Sequence, residues 1–196
     1  MARYGDIAPT AGPRNERRPA PGMEDKIDVA VATQPEVSGA GWAIRHGLIG
    51  GAFAGIVFAL SEMVGSVLLG MPFLTPFQVF ASLPLGIPPM DIPLGTALPV
   101  GTVAHMLLSV IYGVMFAAAV QNIALLRTSG LATIVAATLF RIAIWFVNII
   151  VLAVALGRPW FAMGPPIPPF VYHAIFFGPP LGLYFASRLP FSARSA

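Results

Sequence analysis

The sequence predicts an all-α integral membrane protein: a bundle of four transmembrane helices, with a short interfacial helix in the first outer loop and a fourth helix broken by proline. Three observations carry this expectation. Of the 196 residues, 57% are hydrophobic and only 10% are charged, against about a quarter charged in an ordinary soluble domain. Several apolar runs reach about 18 residues or more, the length that crosses a hydrocarbon core of about 30 Å at helical rise. Most of the charges gather in the first forty residues or beside the ends of those runs.

Residues 1–43 are the predicted cytoplasmic tail. Arg14, Glu16, Arg17, Arg18, Glu24, Asp25, Lys26 and Asp28 alternate with Pro9, Pro13, Pro19, Pro21 and Pro35 without a periodic apolar face. Such a composition buries too little apolar surface to fold, so disorder is expected. A secretory signal would place an apolar segment within about the first 30 residues. None is there, so the tail is expected to be retained and the first hydrophobic run to be itself a membrane helix.

The membrane domain is expected over residues 44–188, with spans at Gly47–Leu69, Pro99–Val120, Leu131–Leu156 and Phe170–Ser187, and a short cytoplasmic tail over 189–196. Between the first two spans, LTPFQVFASLPLG places Thr75 as a helix cap and Pro76 at the first helical position. The resulting helix should be about two turns long and lie flat at the interface, because Pro84, Pro88, Pro89 and Pro93 oppose extension. In the fourth span, Gly178-Pro179-Pro180 removes two consecutive amide donors and predicts a break at membrane depth. Breaks of that kind are tolerated where the backbone is buried in protein or lines a cavity.

Orientation follows from the basic residues at the span ends. Arg45, Arg127, Arg188 and Arg194 fall on one side against Arg158 on the other, which predicts a cell-membrane protein with both termini cytoplasmic and both proline-rich loops facing outward. Trp42, Trp160, Phe170 and Tyr172 lie where an aromatic belt is expected, and His46 beside Arg45 reads as interfacial. The net charge of +3 is thereby explained by topology rather than by a nucleic-acid partner. The chain has no cysteine, which excludes disulfides, thiolate metal sites and cysteine nucleophiles.

Two local matches raise the question of duplication. Val67-Leu68-Leu69-Gly70-Met71-Pro72-Phe73 shares Val, Leu, Gly and Pro in register with Val154-Ala155-Leu156-Gly157-Arg158-Pro159-Trp160. Val103-Ala104-His105 then matches Val171-Tyr172-His173 in the same order. Either apolar segments coincide because they draw on few residue types, or a helix, outer loop, helix hairpin is present twice.

Ionisable groups at membrane depth carry the functional question. Each costs at least about 2.5 kcal/mol to insert, so each is expected to face the bundle or a wet cavity. Glu62, His105, Asn148 and His173 fall in the outer third of their spans and Arg141 lies deeper. Helical phase puts Gly101, His105, Ser109 and Tyr112 on one stripe of the second span, and Thr138, Arg141, Trp145 and Asn148 on one stripe of the third. Glu62 shares a face with Gly55, Ala59 and Ser66, while Gly47, Gly51 and Gly55 form a small-residue series suited to close helix packing or to a homo-oligomer contact. Polar stripes on three apolar helices predict one shared interior site of Glu62, His105, Ser109, Tyr112, Arg141, Asn148 and His173.

For Glu62 three roles stay open at this point: a buried pair with Arg141, a proton-accepting or cation-binding carboxylate, or an interface with another membrane subunit. His105 and His173 allow axial ligation of a b-type haem, or with Glu62 a metal site, although histidines near an outer interface are commonly satisfied by water and headgroups. No Walker loop, dinucleotide fingerprint, zincin motif or nucleophile elbow is present. The sequence therefore points to a non-enzymatic membrane protein, an accessory subunit or a small carrier with an outward-facing polar site. A haem or metal redox module is the alternative.

Overall fold

The computed structural model describes residues 39–164 and 166–189, and among these every regular element is helical. The expectations for the tails at 1–38 and 190–196 lie outside the described residues. Helix α1 (Ala40–Leu68) contains no proline and starts before the predicted span, taking in residues assigned to the tail. It ends at Gly70, whose φ of 75° suits a residue without Cβ, with the Gly70 amide on the Val67 carbonyl (3.0 Å) and the Met71 amide on the Ser66 carbonyl (2.8 Å).

Helix α2 (Thr75–Leu85) follows, and it departs from the prediction twice. Thr75 is not its cap: Leu74 stands at that position and no side chain bonds the free amides. Pro84 does not exclude extension either. It sits in the last turn, where it leaves the Phe80 carbonyl without its amide partner, and the helix stops at Gly86, whose φ is 70° and whose amide returns to the Ser82 carbonyl at 3.0 Å. After a 3₁₀ turn (Pro89–Asp91), α3 runs over Leu94–Asn122, starting before Pro99. The hydrogen bond that Pro99 cannot donate would have gone to Gly95, an exposed residue near the helix end.

A short α4 (Ala124–Thr128) leads to α5 (Gly130–Phe146), capped by the Ser129 hydroxyl, which accepts from the Ala132 amide at 3.3 Å. The run continues through a π-helical stretch (Val147–Leu152) and a closing α turn (Ala153–Ala155). Its end copies that of α1, with Gly157 at φ 67°, its amide on the Val154 carbonyl (3.1 Å) and the Arg158 amide on the Ala153 carbonyl (2.6 Å). A single turn, α6 (Trp160–Met163), precedes α7 (Ile167–Val171), a second π-helical stretch (Tyr172–Phe177) and α8 (Gly178–Ala186). The predicted proline break is absent. Pro179 and Pro180 occupy the first turn of α8, where their missing donors matter little, and the disturbance is absorbed just before them by π winding, with the Gly178 amide on the His173 carbonyl.

Three helical runs, Ala40–Leu68, Leu94–Asn122 and Gly130–Ala155, are long and apolar enough to cross a bilayer. Their outward faces carry Leu48, Phe53, Ile56, Leu60, Leu107, Ile111, Leu139 and Val151, all exposed, which is the inside-out pattern lipid requires. The protein is a membrane protein.

Glycines fix how closely the helices approach. A methyl on Gly51 would meet the Ser109 carbonyl and lie 2.9 Å from Val110 Cα, and one on Gly55 would lie 2.6 Å from Ser109 Oγ. The Gly47, Gly51 and Gly55 series is therefore consumed by α3 of the same chain, and the expectation that it serves a homo-oligomer contact is corrected accordingly. On the other side, methyls on Gly178 and Gly182 would lie 2.6 Å from Thr138 Cα and Ile134 Cα, so α8 packs as tightly on α5. The pairs meet where Gly50 abuts Tyr184 and Gly65 abuts Tyr172. Phe58, Phe116, Phe177, Leu181 and Phe185 fill the core between them.

Candidate functional site

A cavity of about 360 Å³ lies between α1, α3, α5 and the second π-helical stretch, beneath α2 and the outer loops. Glu62, His105, Ser109, Tyr112, Arg141, Asn148 and His173 all stand on its wall. Helical phase alone thus brought seven polar residues of four segments to one place. Most of the remaining wall is apolar, including Phe58, Phe80, Leu83, Leu108, Trp160 and Phe161.

The base of the cavity is built around Arg141, 4% exposed. Its guanidinium carbon lies 4.0 Å from the Phe177 ring centre, 5.0 Å from that of Tyr112 and 5.5 Å from that of Phe58, an aromatic cage that offsets part of the cost of burying a cation. Its Nε and Nη1 are buried and have no hydrogen-bond partner. The Tyr112 hydroxyl donates to Asn148 Oδ1 at 3.0 Å, tying α3 to the first π-helical stretch.

The expected pair between Glu62 and Arg141 does not form, and no arginine meets a carboxylate within 4.0 Å among the described residues. Both residues line the same cavity, with the guanidinium packed among the rings of Phe177, Tyr112 and Phe58 instead of against the acid.

The histidines are not surface groups satisfied by headgroups, as an outer-interface position suggested. Both are 8% exposed and bonded to backbone: His105 Nε2 donates to the Gly55 carbonyl of α1 at 2.9 Å, and His173 Nδ1 donates to the Pro169 carbonyl at 2.7 Å. His105 stacks on Phe80 with ring centres 4.3 Å apart, and Phe58 packs against both imidazoles. These are satisfied, packed rings rather than a pair held open for a porphyrin. Among the described residues no three of His, Asp, Glu or Cys converge as metal ligands, so the set of His105, His173 and Glu62 does not assemble.

Over the cavity, α2 is clasped from the second outer loop. Arg158 Nε donates to the Leu83 carbonyl at 3.1 Å, and Trp160 Nε1 donates to Ser82 Oγ at 3.1 Å. The carbonyl end of a helix suits a cation. His46, expected at the interface, bonds the Tyr184 hydroxyl through Nδ1 at 3.0 Å.

Sequence reasoning missed the aromatic lining and Thr75, whose Oγ1 is buried on the cavity wall without a partner. A threonine before proline reads most simply as a cap, so its signal pointed elsewhere. Comparisons with family models, curated proteins and solved structures yield no match, so the function must be argued from this site.

Proposed function

We propose that the chain is a non-enzymatic small carrier of the cell membrane that admits a small solute, from the side of its proline-rich loops, into the cavity beneath α2. The observation that carries this reading is the cavity itself. Its volume of about 360 Å³ falls within the range of small-molecule pockets, its wall is mainly apolar, and its base is a buried guanidinium without a partner. A bundle serving only as scaffold for another subunit would gain by filling such a void and replacing the charge with packed hydrocarbon.

Topology supports the same reading. The turns at Gly70 and Gly157 match bond for bond, and α1 pairs with α3 as α5 pairs with α8, which favours a duplicated hairpin over coincidence. Ile167–Ala186 then serves as the fourth span, both termini are cytoplasmic by the distribution of arginines, and the site falls between the two copies, as in carriers built from repeats.

The test is uptake into proteoliposomes of a labelled panel comprising a sugar, an alkylamine and an organic acid. At least one class should enter saturably. Entry should be lost in Ala104→Trp, which fills the cavity from α3, and kept in Leu183→Ala on the exposed face of α8. Absence of saturable entry for every class, or unchanged entry in Ala104→Trp, refutes the carrier. Stoichiometric copurification of other subunits without solute binding would place the chain among accessory subunits instead. A visible spectrum of the same preparation, expected to lack a Soret band, tests the haem alternative.

A further inference from the structure

Resting on the cavity as a solute site, we infer that its ligand is a small amphipathic carboxylate, with an apolar body against the phenylalanine-rich wall and a head group seated on Arg141. Two independent features point there. The first is the guanidinium: Nε and Nη1 are buried without partners in a residue only 4% exposed, on the wall of a partly open cavity. A desolvated donor of this kind is completed by an anion, and a planar carboxylate matches a guanidinium better than any other small head group.

The second feature is the wall. Phe58, Phe80, Leu108 and Phe161 make the wall mainly apolar, with Thr75, Ser109 and Asn148 as scattered polar groups. An alkyl or aryl body suits it. A simple amine would meet Arg141 as a like charge.

The experiment uses the full chain in nanodiscs of phosphatidylcholine and follows tryptophan fluorescence, since Trp160 lines the cavity. The probes are octanoate, octanamide and octylamine. Octanoate should bind at least tenfold more tightly than octanamide, and octylamine should not bind. Arg141→Met should erase the preference for acid over amide while leaving octanamide binding within about twofold, and Arg141→Lys should keep a weakened preference. Equal affinity for acid and amide, or tighter binding of the amine, overturns the inference while leaving a solute site in place. Failure of all three probes in a folded protein removes the solute site itself. Discs containing phosphatidylglycerol separate a free acid from a lipid phosphate: unchanged octanoate affinity supports the free acid, and loss of octanoate binding there overturns it in favour of lipid.

Discussion

The contact between α1 and α3 yields the sharpest prediction, because α3 carries two glycines in opposite surroundings. A methyl at Gly113 would lie 2.6 Å from Gly51 Cα and 2.8 Å from Gly51 N and would also meet the Gly47 carbonyl. A methyl at Gly95 would meet nothing within 4 Å. Alanine gains about 0.5–1 kcal/mol over glycine in a helix, and this gain enters both variants, so their difference isolates the packing. The atoms met at Gly113 are backbone and no rotamer change removes them, so the two helices must separate, at about 1–3 kcal/mol. Gly113→Ala should therefore have a folding equilibrium constant about 5- to 150-fold smaller than that of Gly95→Ala, read by reversible unfolding in mixed micelles. Separation of α1 from α3 also stretches the 2.9 Å bond from His105 Nε2 to the Gly55 carbonyl, so the Nε2 proton, followed by nitrogen NMR, should exchange faster. Equal stability of the two variants, or a more stable Gly113→Ala, would refute the close approach on which the cavity wall depends.

Three further outcomes are expected. Gly65→Ala drives a methyl into the Tyr172 hydroxyl and should cost about 1–3 kcal/mol, most of it recovered when Tyr172→Phe is added; thermal melts of the four-member cycle decide, and a purely additive cycle is incompatible with the contact. Tyr112→Phe loses the 3.0 Å bond to Asn148 Oδ1 while keeping the ring beside Arg141, and should lower stability by about 0.5–1.5 kcal/mol; Tyr112→Leu, which also removes the ring 5.0 Å from the guanidinium, should cost more by the same melt. Arg158→Gln releases the Leu83 carbonyl and the clasp on α2, so hydrogen exchange at the amides of Ser82, Leu83, Leu85 and Gly86 should accelerate several-fold with α1 unchanged, and uniform protection would show that the clasp holds nothing.

The long spans were legible because lipid demands an unbroken apolar run, and few soluble sequences imitate one. The convergence of His105, Tyr112 and Arg141 was legible too, since polar groups on three greasy helices share a single place to go. Other features depend on neighbours that periodicity does not encode. Counting residues placed Glu62 and Arg141 within reach of each other, but pairing depends on the neighbours each side chain meets, and the guanidinium packs against Phe177, Tyr112 and Phe58 instead. Gly178-Pro179-Pro180 announced a disturbance correctly in kind, since donors are missing there. That the disturbance would be accommodated by π winding rather than by a break goes with α8 packing on Thr138 and Ile134 through its own glycines, a long-range fact. Thr75 shows the converse, a residue whose strongest local reading, a cap, loses to a burial position on the cavity.

The absence of an ion pair between Glu62 and Arg141 matters more for function than a pair would have. Had Glu62 met Arg141 directly, each would have satisfied the other, and the bundle would hold a buried ion pair with nothing left to offer a solute. Four buried side-chain atoms lack partners among the described residues, Thr75 Oγ1, Arg141 Nε, Arg141 Nη1 and Trp145 Nε1, and the first three belong to residues on the cavity wall. In a fold where His105, Tyr112 and His173 find backbone or side-chain partners, unmet donors gathered on one cavity are the mark of groups completed from outside the chain. With no ion pair to break, the guanidinium is available whether or not the acid is present, so Glu62→Gln is expected to preserve octanoate binding by the same fluorescence readout, and loss of binding in that variant would show that the carboxylate helps to hold the ligand.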